Sequence, residues 1–159
     1  NYNYYKGKTH YELVNHAIPS AFEKTYKLYK PIDKKEYKDK MLTIDEGTAY
    51  EYLVNKYDTI NKLYSIDKQI RINDFNAAEA ALKKAEEWET FKLLGKLAKE
   101  EYPESLLSMY YMGIHYENIG EPKKALKAYQ SGFIMEEIGR ITKDDMLQYA
   151  DLIKADFGL

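Results

Sequence analysis

The sequence predicts an all-α fold of antiparallel helical hairpins, led in by a short strand, a loop and a helix. Three observations predict it. Apolar residues recur every three or four positions from about residue 46 to residue 157. Turn signals separate these runs at Pro103, at Gly120-Glu121-Pro122 and at Gly139. Small and aromatic residues recur at set offsets between Gly113 and Gly132.

The leading segment comes first. Residues 1–5 alternate Asn and Tyr and run into Lys6-Gly7-Lys8, the pattern of a strand entering a loop. Ile18, Phe22, Tyr26 and Tyr29 then mark one helix face, with Pro19 in its first turn and Pro31 as its stop. Residues 32–45 are charged and without a strong period, so they read as a linker with at most a short helix.

From Asp45 the helical period returns. Tyr50, Leu53, Tyr57, Ile60 and Leu63 form its stripe, widened by Ala49 and Val54. Residues 64–72 break the run and read as extended. Asn73 or Asp74 suits the cap of a helix reaching about Glu86. Trp88 to Glu101 follows, with Phe91, Leu94, Leu97 and Ala98 on one face. Leu106 to Ile119 and Lys123 to Ile138 make the next hairpin, and Gly139 suits its C-terminal cap. Thr142 with Asp145 three residues on resembles a capping box opening a last helix to about Asp156, with Gly158 just beyond.

Composition limits the function classes. Hydrophobic residues are 45% and charged residues 31% of the 159, a globular mix and not a disordered one. A net charge of -2 lacks the basic excess that a nucleic-acid or anionic-membrane surface needs. No apolar run approaches the roughly 20 residues of a membrane span. The start lacks both Met and the pattern of a signal peptide, and reads as an internal piece of a longer chain. The compartment stays open; periplasmic or secreted follows if an upstream part carries a signal. The absence of Cys excludes disulfides, thiolate metal sites and a Cys nucleophile. Seventeen tyrosines suit the seams of stacked helices, where a ring is buried and its hydroxyl stays polar-bonded.

Counted from Gly113, Tyr116 stands at +3, Gly120 at +7, Ala125 at +12, Tyr129 at +16 and Gly132 at +19. Small residues let two helices approach and aromatic residues fill the holes between them. These offsets resemble the tetratricopeptide repeat, and Pro103 stands where the closing Pro of a preceding repeat of 34 residues belongs. One repeat earlier the match weakens: Leu82 replaces Tyr116, Phe91 replaces Ala125 and Ala98 replaces Gly132. Residues 72–105 thus resemble a degenerate repeat, 106–139 a good one and 140–157 a capping helix. A generic helical bundle with coincidental glycines is the alternative.

The N-terminal order of strand, polar Gly-containing loop, His10 and amphipathic helix resembles the end of an α/β-hydrolase domain. The segment Tyr4-Tyr5-Lys6-Gly7-Lys8-Thr9-His10 is similar to one in the esterase family that includes siderophore ester hydrolases. Some members carry a helical C-terminal extension, which Tyr50-Glu51-Tyr52-Leu53, Lys56-Tyr57-Asp58 and Asn73-Asp74-Phe75 resemble. So do the repeat segment and Ile153-Lys154-Ala155-Asp156-Phe157-Gly158.

The resemblance implies that residues 1–31 are the end of a catalytic domain, 32–45 a linker and 46–159 the helical domain. It carries over one catalytic position, the triad histidine at His10, which would serve as general base and then acid. The Ser nucleophile and the acid would precede it in the chain. The chain is expected to be inactive alone, with its own upstream catalytic domain as partner. The alternative is a non-enzymatic scaffold for a protein or peptide segment.

The remaining candidates have plainer readings. A lone loop histidine is more often solvated than catalytic. His16, six residues on, lacks the spacing of a helical metal pair and reads as structural at the start of the helix. His115 reads as a surface residue or as one lining a concave face. Trp88 and Phe91 read as core. Tyr110, Tyr111 and Tyr116 either pack or line a peptide groove. Glu100-Glu101, Glu136-Glu137, Asp144-Asp145, Lys34-Lys35 and Lys123-Lys124 read as solvated faces. No cofactor or metal motif is present.

Overall fold

Three of the helices begin at capping boxes, and these set the frame. A computed structural model describes residues 6–7, 9–43 and 47–159, without the side chains of residues 10, 24 and 25. Among the described residues every regular element is helical. The only pairings of strand type are two isolated bridges, Ser105 with Glu136 and Ile138 with Ile141. The fold is all-α, as the periodicity predicts. The strand predicted over residues 1–5 lies outside the described residues.

The chain divides into two units, 1–31 and 32–159. The first holds α1, His10–Tyr26. Thr9 accepts from the Glu12 amide, and the Glu12 carboxylate accepts from the Thr9 amide at 2.9 Å. This box starts the helix eight residues before the predicted Ile18. Pro19 therefore lies in the helix interior and not in its first turn, where it removes one backbone donor. Val14, Ile18 and Phe22 follow one another at four-residue steps along α1, and all three are exposed. Phe22 stacks on Tyr26, with centroids 5.8 Å apart.

The second unit begins with α2, Lys34–Glu36, which continues as a π-helical turn over Tyr37–Met41. Residues 32–42 of the stretch read as a linker are thus folded and packed. Met41 is buried, and Ile32, Tyr37 and Leu42 pack on the core. Its anchor is polar. Asp74 is fully buried and accepts from the Ile32 amide at 2.8 Å and from the Tyr57 hydroxyl at 2.7 Å. Glu36 accepts from Tyr52 at 2.8 Å and pairs with Lys56, itself buried.

Five longer helices follow: α3, Ala49–Tyr64; α4, Ile72–Lys84; α5, Thr90–Glu101; α6, Leu107–Asn118; and α7, Pro122–Ser131. The last helix is α8, Lys143–Phe157. Helix α3 packs on α4, α5 on α6, α6 on α7 and α7 on α8. A Thr48–Glu51 capping box starts α3, and the expected Thr142–Asp145 box starts α8. Gly158 closes α8 in the left-handed conformation, as expected. Asp74 does not cap α4: Arg71 holds that position without a side-chain bond, and Asp74 turns inward.

Residues 65–71 are irregular and docked onto α5. The Ile70 amide donates to Glu101 at 2.8 Å, and the Tyr102 hydroxyl donates to the Ile70 carbonyl at 2.6 Å. Helix α7 ends at Ser131, before the predicted Ile138, and passes into a 3-10 turn over Gly132–Ile134. The reason is competition for backbone bonds. Leu106 donates to the Glu136 carbonyl at 2.9 Å and Glu136 to the Glu104 carbonyl at 3.0 Å, so the chain runs beside the start of α6. Gly139 therefore ends no helix. It takes φ +59° in the turn joining Ile138 to Ile141, packed against Ile72.

The glycine spacing has a structural counterpart. A Cβ on Gly113 would stand 2.2 Å from the Tyr129 ring, and one on Gly132 2.4 Å from Met146 Cε. Each glycine receives a side chain from the next helix. The core between the helices is aromatic: Phe75 stacks on Tyr111, and Tyr129 stacks on Tyr149 at 5.2 Å.

Candidate functional site

Thr9 fixes where His10 sits. As N-cap it makes His10 the first residue of α1, so His10 opens the helix instead of lying on a free loop ahead of it. The His10 side chain lies outside the described residues. His16 is exposed midway along α1 and does not start the helix.

A cluster built on a buried carboxylate lies elsewhere, between α4, α6 and the turn before α8. Glu79 is 1% exposed. Its Oε1 accepts from the Tyr110 hydroxyl at 2.8 Å, pairs with Lys83 at 2.8 Å and pairs with Arg140 at 2.7 Å. Lys83 and Arg140 keep much of their surface in solvent. A buried carboxylate costs several kcal/mol unless paired, and these three donors supply the compensation. Burial opposes the Arg140 charge, but the Glu79 carboxylate outweighs it and raises the guanidinium further above its ordinary range.

Tyrosine–carboxylate pairs repeat along the seams. Tyr57 donates to Asp74, Tyr110 to Glu79 and Tyr129 to Glu117, at 2.7 to 2.8 Å. Burial pushes all three phenols well above their ordinary range, and the adjacent carboxylates add to the shift. They act as fixed neutral donors, which suits them to holding helices in register and not to proton transfer near neutrality.

His115 is buried and not a surface residue, because Nδ1 lies 3.0 Å from the Trp88 carbonyl and ties α6 to the α4–α5 corner. Trp88 stacks on Phe91 at 5.9 Å, as the core reading has it. Tyr110 and Tyr111 are fully buried, so they pack and line no groove. Glu101 is bonded to the Ile70 amide and is not a purely solvated charge; burial raises its pKa above the ordinary 4.5. Among the described residues no group of three or more His, Asp or Glu is placed to hold a metal ion, and no helix is long and apolar enough to cross a membrane.

The chain is similar to a solved structure, the crystal structure of an uncharacterised protein from Capnocytophaga ochracea DSM 7271. The two are 34% identical with a TM-score of 0.88, over 95% of this chain and 42% of that one. The chain therefore spans about two fifths of that protein's length. No family model matches the chain, and no curated protein matches it.

Sequence reasoning found the glycines and the last capping box. It missed the Glu79 cluster, in which Glu79 and Lys83 meet Tyr110 and Arg140 from distant parts of the sequence. The one local signal was Glu79 with Lys83 at four-residue spacing, which on most helices marks a solvated pair.

Proposed function

We propose that this chain is the C-terminal part of a larger serine ester hydrolase, inactive by itself, in which α1 closes and packs on the catalytic domain and the helical unit is accessory to it. The observation that carries the reading is the apolar line of Val14, Ile18 and Phe22 on α1, exposed at 44%, 51% and 59%. A contiguous apolar helix face of this kind marks an interaction surface. The length of the similar Capnocytophaga ochracea protein, more than twice the matched part, supports a further domain as the occupant. The order of Gly7, the Thr9 cap, His10 and a closing helix supports an α/β-hydrolase end as that domain. In such a site His10 would take the proton of a serine hydroxyl and return it to the leaving alkoxide.

Charge on the α1 face tests the docking. In the full natural polypeptide, Ile18→Asp with Phe22→Asp should accelerate tryptic cleavage at Lys24 in α1 and at its C-cap Lys27 about tenfold by loosening the docked helix. Unchanged cleavage would overturn the docking. A second reading, a non-enzymatic interaction scaffold of tetratricopeptide type, is favoured by the seating of Tyr129 on Gly113 at the repeat spacing. Ester hydrolysis by the full natural polypeptide separates the two.

A further inference from the structure

Glu79 uses its oxygens unequally. Oε1 takes the Tyr110, Lys83 and Arg140 donors, while Oε2 is buried with no hydrogen-bond partner among the described residues. Tyr111, next to Tyr110 on α6, is 0% exposed, and its hydroxyl likewise has no partner. The two groups share one packed neighbourhood: the Tyr111 ring lies 5.4 Å from the Tyr110 ring, whose hydroxyl donates to Glu79, and 6.2 Å from Phe75, one turn before Glu79 on α4. A third unpartnered oxygen, Asn76 Oδ1, lies three residues before Glu79 on α4. The 139–140 turn spans this face, with Gly139 against Ile72 and Arg140 on Glu79.

Buried polar atoms of native proteins are almost always satisfied, commonly by an internal water held by two to four partners. The orphan set here is two acceptor oxygens and one hydroxyl. It calls for a molecule that both donates and accepts. Charge selects against ions. Lys83 and Arg140 already set two positive charges against one carboxylate, which repels a cation, and Asp145 is the next charge near Arg140. An anion would meet Glu79 Oε2 directly.

We propose that Glu79 and Tyr111 wall a closed site for one neutral hydroxyl-bearing molecule, which donates to Glu79 Oε2 and accepts from the Tyr111 hydroxyl. A trapped water and the hydroxyl of a small alcohol share this chemistry. The site is independent of α1 and of the hydrolase reading.

Two crystal structures of this chain at about 1.5 Å separate the sources, one from crystals free of polyols and one after an ethylene glycol soak. A density peak within about 2.6–3.2 Å of both oxygens is the expected result. A peak unchanged by the soak identifies water, and one elongated by it identifies the alcohol; either supports the site. A direct bond between Tyr111 and Glu79, or protein partners for both, would overturn it.

Tyr111→Phe gives an independent reading, because the two states respond with opposite sign. If the hydroxyl is bridged, its removal breaks a hydrogen-bonded link to a buried charge and Tm falls by about 2–4 °C. If the hydroxyl is an unsatisfied buried group, its removal relieves a penalty and Tm is unchanged or rises. The second result would overturn the proposal.

Discussion

Gly113→Ala is the sharpest perturbation of the packing. The new Cβ would lie 2.2 Å from Tyr129 Cε1 and 2.5 Å from its Cδ1 and Cζ, against an ordinary contact of 3.4 Å or more. The ring must therefore retreat by more than 1 Å. It has nowhere easy to go. Tyr129 is 0% exposed, stacked on Tyr149 at 5.2 Å and bonded through its hydroxyl to Glu117 at 2.7 Å. Overpacking costs about 1–3 kcal/mol. Weakening the ring pair adds roughly 0.5–1.5 kcal/mol, and straining the hydroxyl bond adds about 1 kcal/mol. Helix propensity returns about 1 kcal/mol, because Ala is a better helix former than Gly. The net expectation is a loss of about 2–4 kcal/mol, seen in urea as a midpoint lowered by about 1–2 M. Gly95→Ala is the internal control. Its Cβ would meet Met112 at 3.2 Å, a flexible side chain, and the Ser108 carbonyl at 3.3 Å. Its stability should stay within about 1 kcal/mol of the parent. A Gly113→Ala chain as stable as the parent would refute the nesting of Tyr129 on that glycine.

Two further outcomes follow from the buried Asp74 and the half-buried Glu101. Asp74→Ala removes the acceptor shared by the Ile32 amide and the Tyr57 hydroxyl; a loss of about 3 kcal/mol is expected, with faster hydrogen exchange at Ile32. Glu101 has a raised folded pKa, caused first by burial, so the folded state holds its proton more readily than the unfolded one. Its effect on stability becomes unfavourable as pH rises from the ordinary 4.5 through the raised value. Glu101→Gln keeps an acceptor for the Ile70 amide, so its Tm relative to the parent should rise between pH 4 and pH 7; a constant difference would contradict the shift.

How much could be read in advance depended on how local each signal was. Helix α8 was legible at both ends, because Thr142, Asp145 and Gly158 are single-residue devices with fixed geometry. Gly113 and Gly132 were legible because a close approach leaves room for nothing larger. The start of α1 was open to the same reasoning, since Thr9 and Glu12 form a capping box of the same kind; the apolar count from Ile18 obscured it. Residues 32–41 were not legible. Their charged composition resembles a linker, and what docks them is Asp74, some forty residues on and buried against its usual habit. The end of α7 was hidden for the same reason, because its competitor is a backbone bond between Leu106 and Glu136. The Glu79 cluster joins four residues from three places in the chain, and no local pattern announces it. His10 stands out in the sequence only by its neighbours, and the Thr9 cap that makes it the first residue of α1 is the part of that setting the structure describes.

The proposed role is tested most directly by chromogenic-ester hydrolysis with the full natural polypeptide, comparing the parent with His10→Ala. A triad histidine predicts that kcat falls by about 10⁴-fold or more while the helical unit stays folded by circular dichroism. Hydrolysis at the parental rate in the variant, or none in the parent, would contradict it.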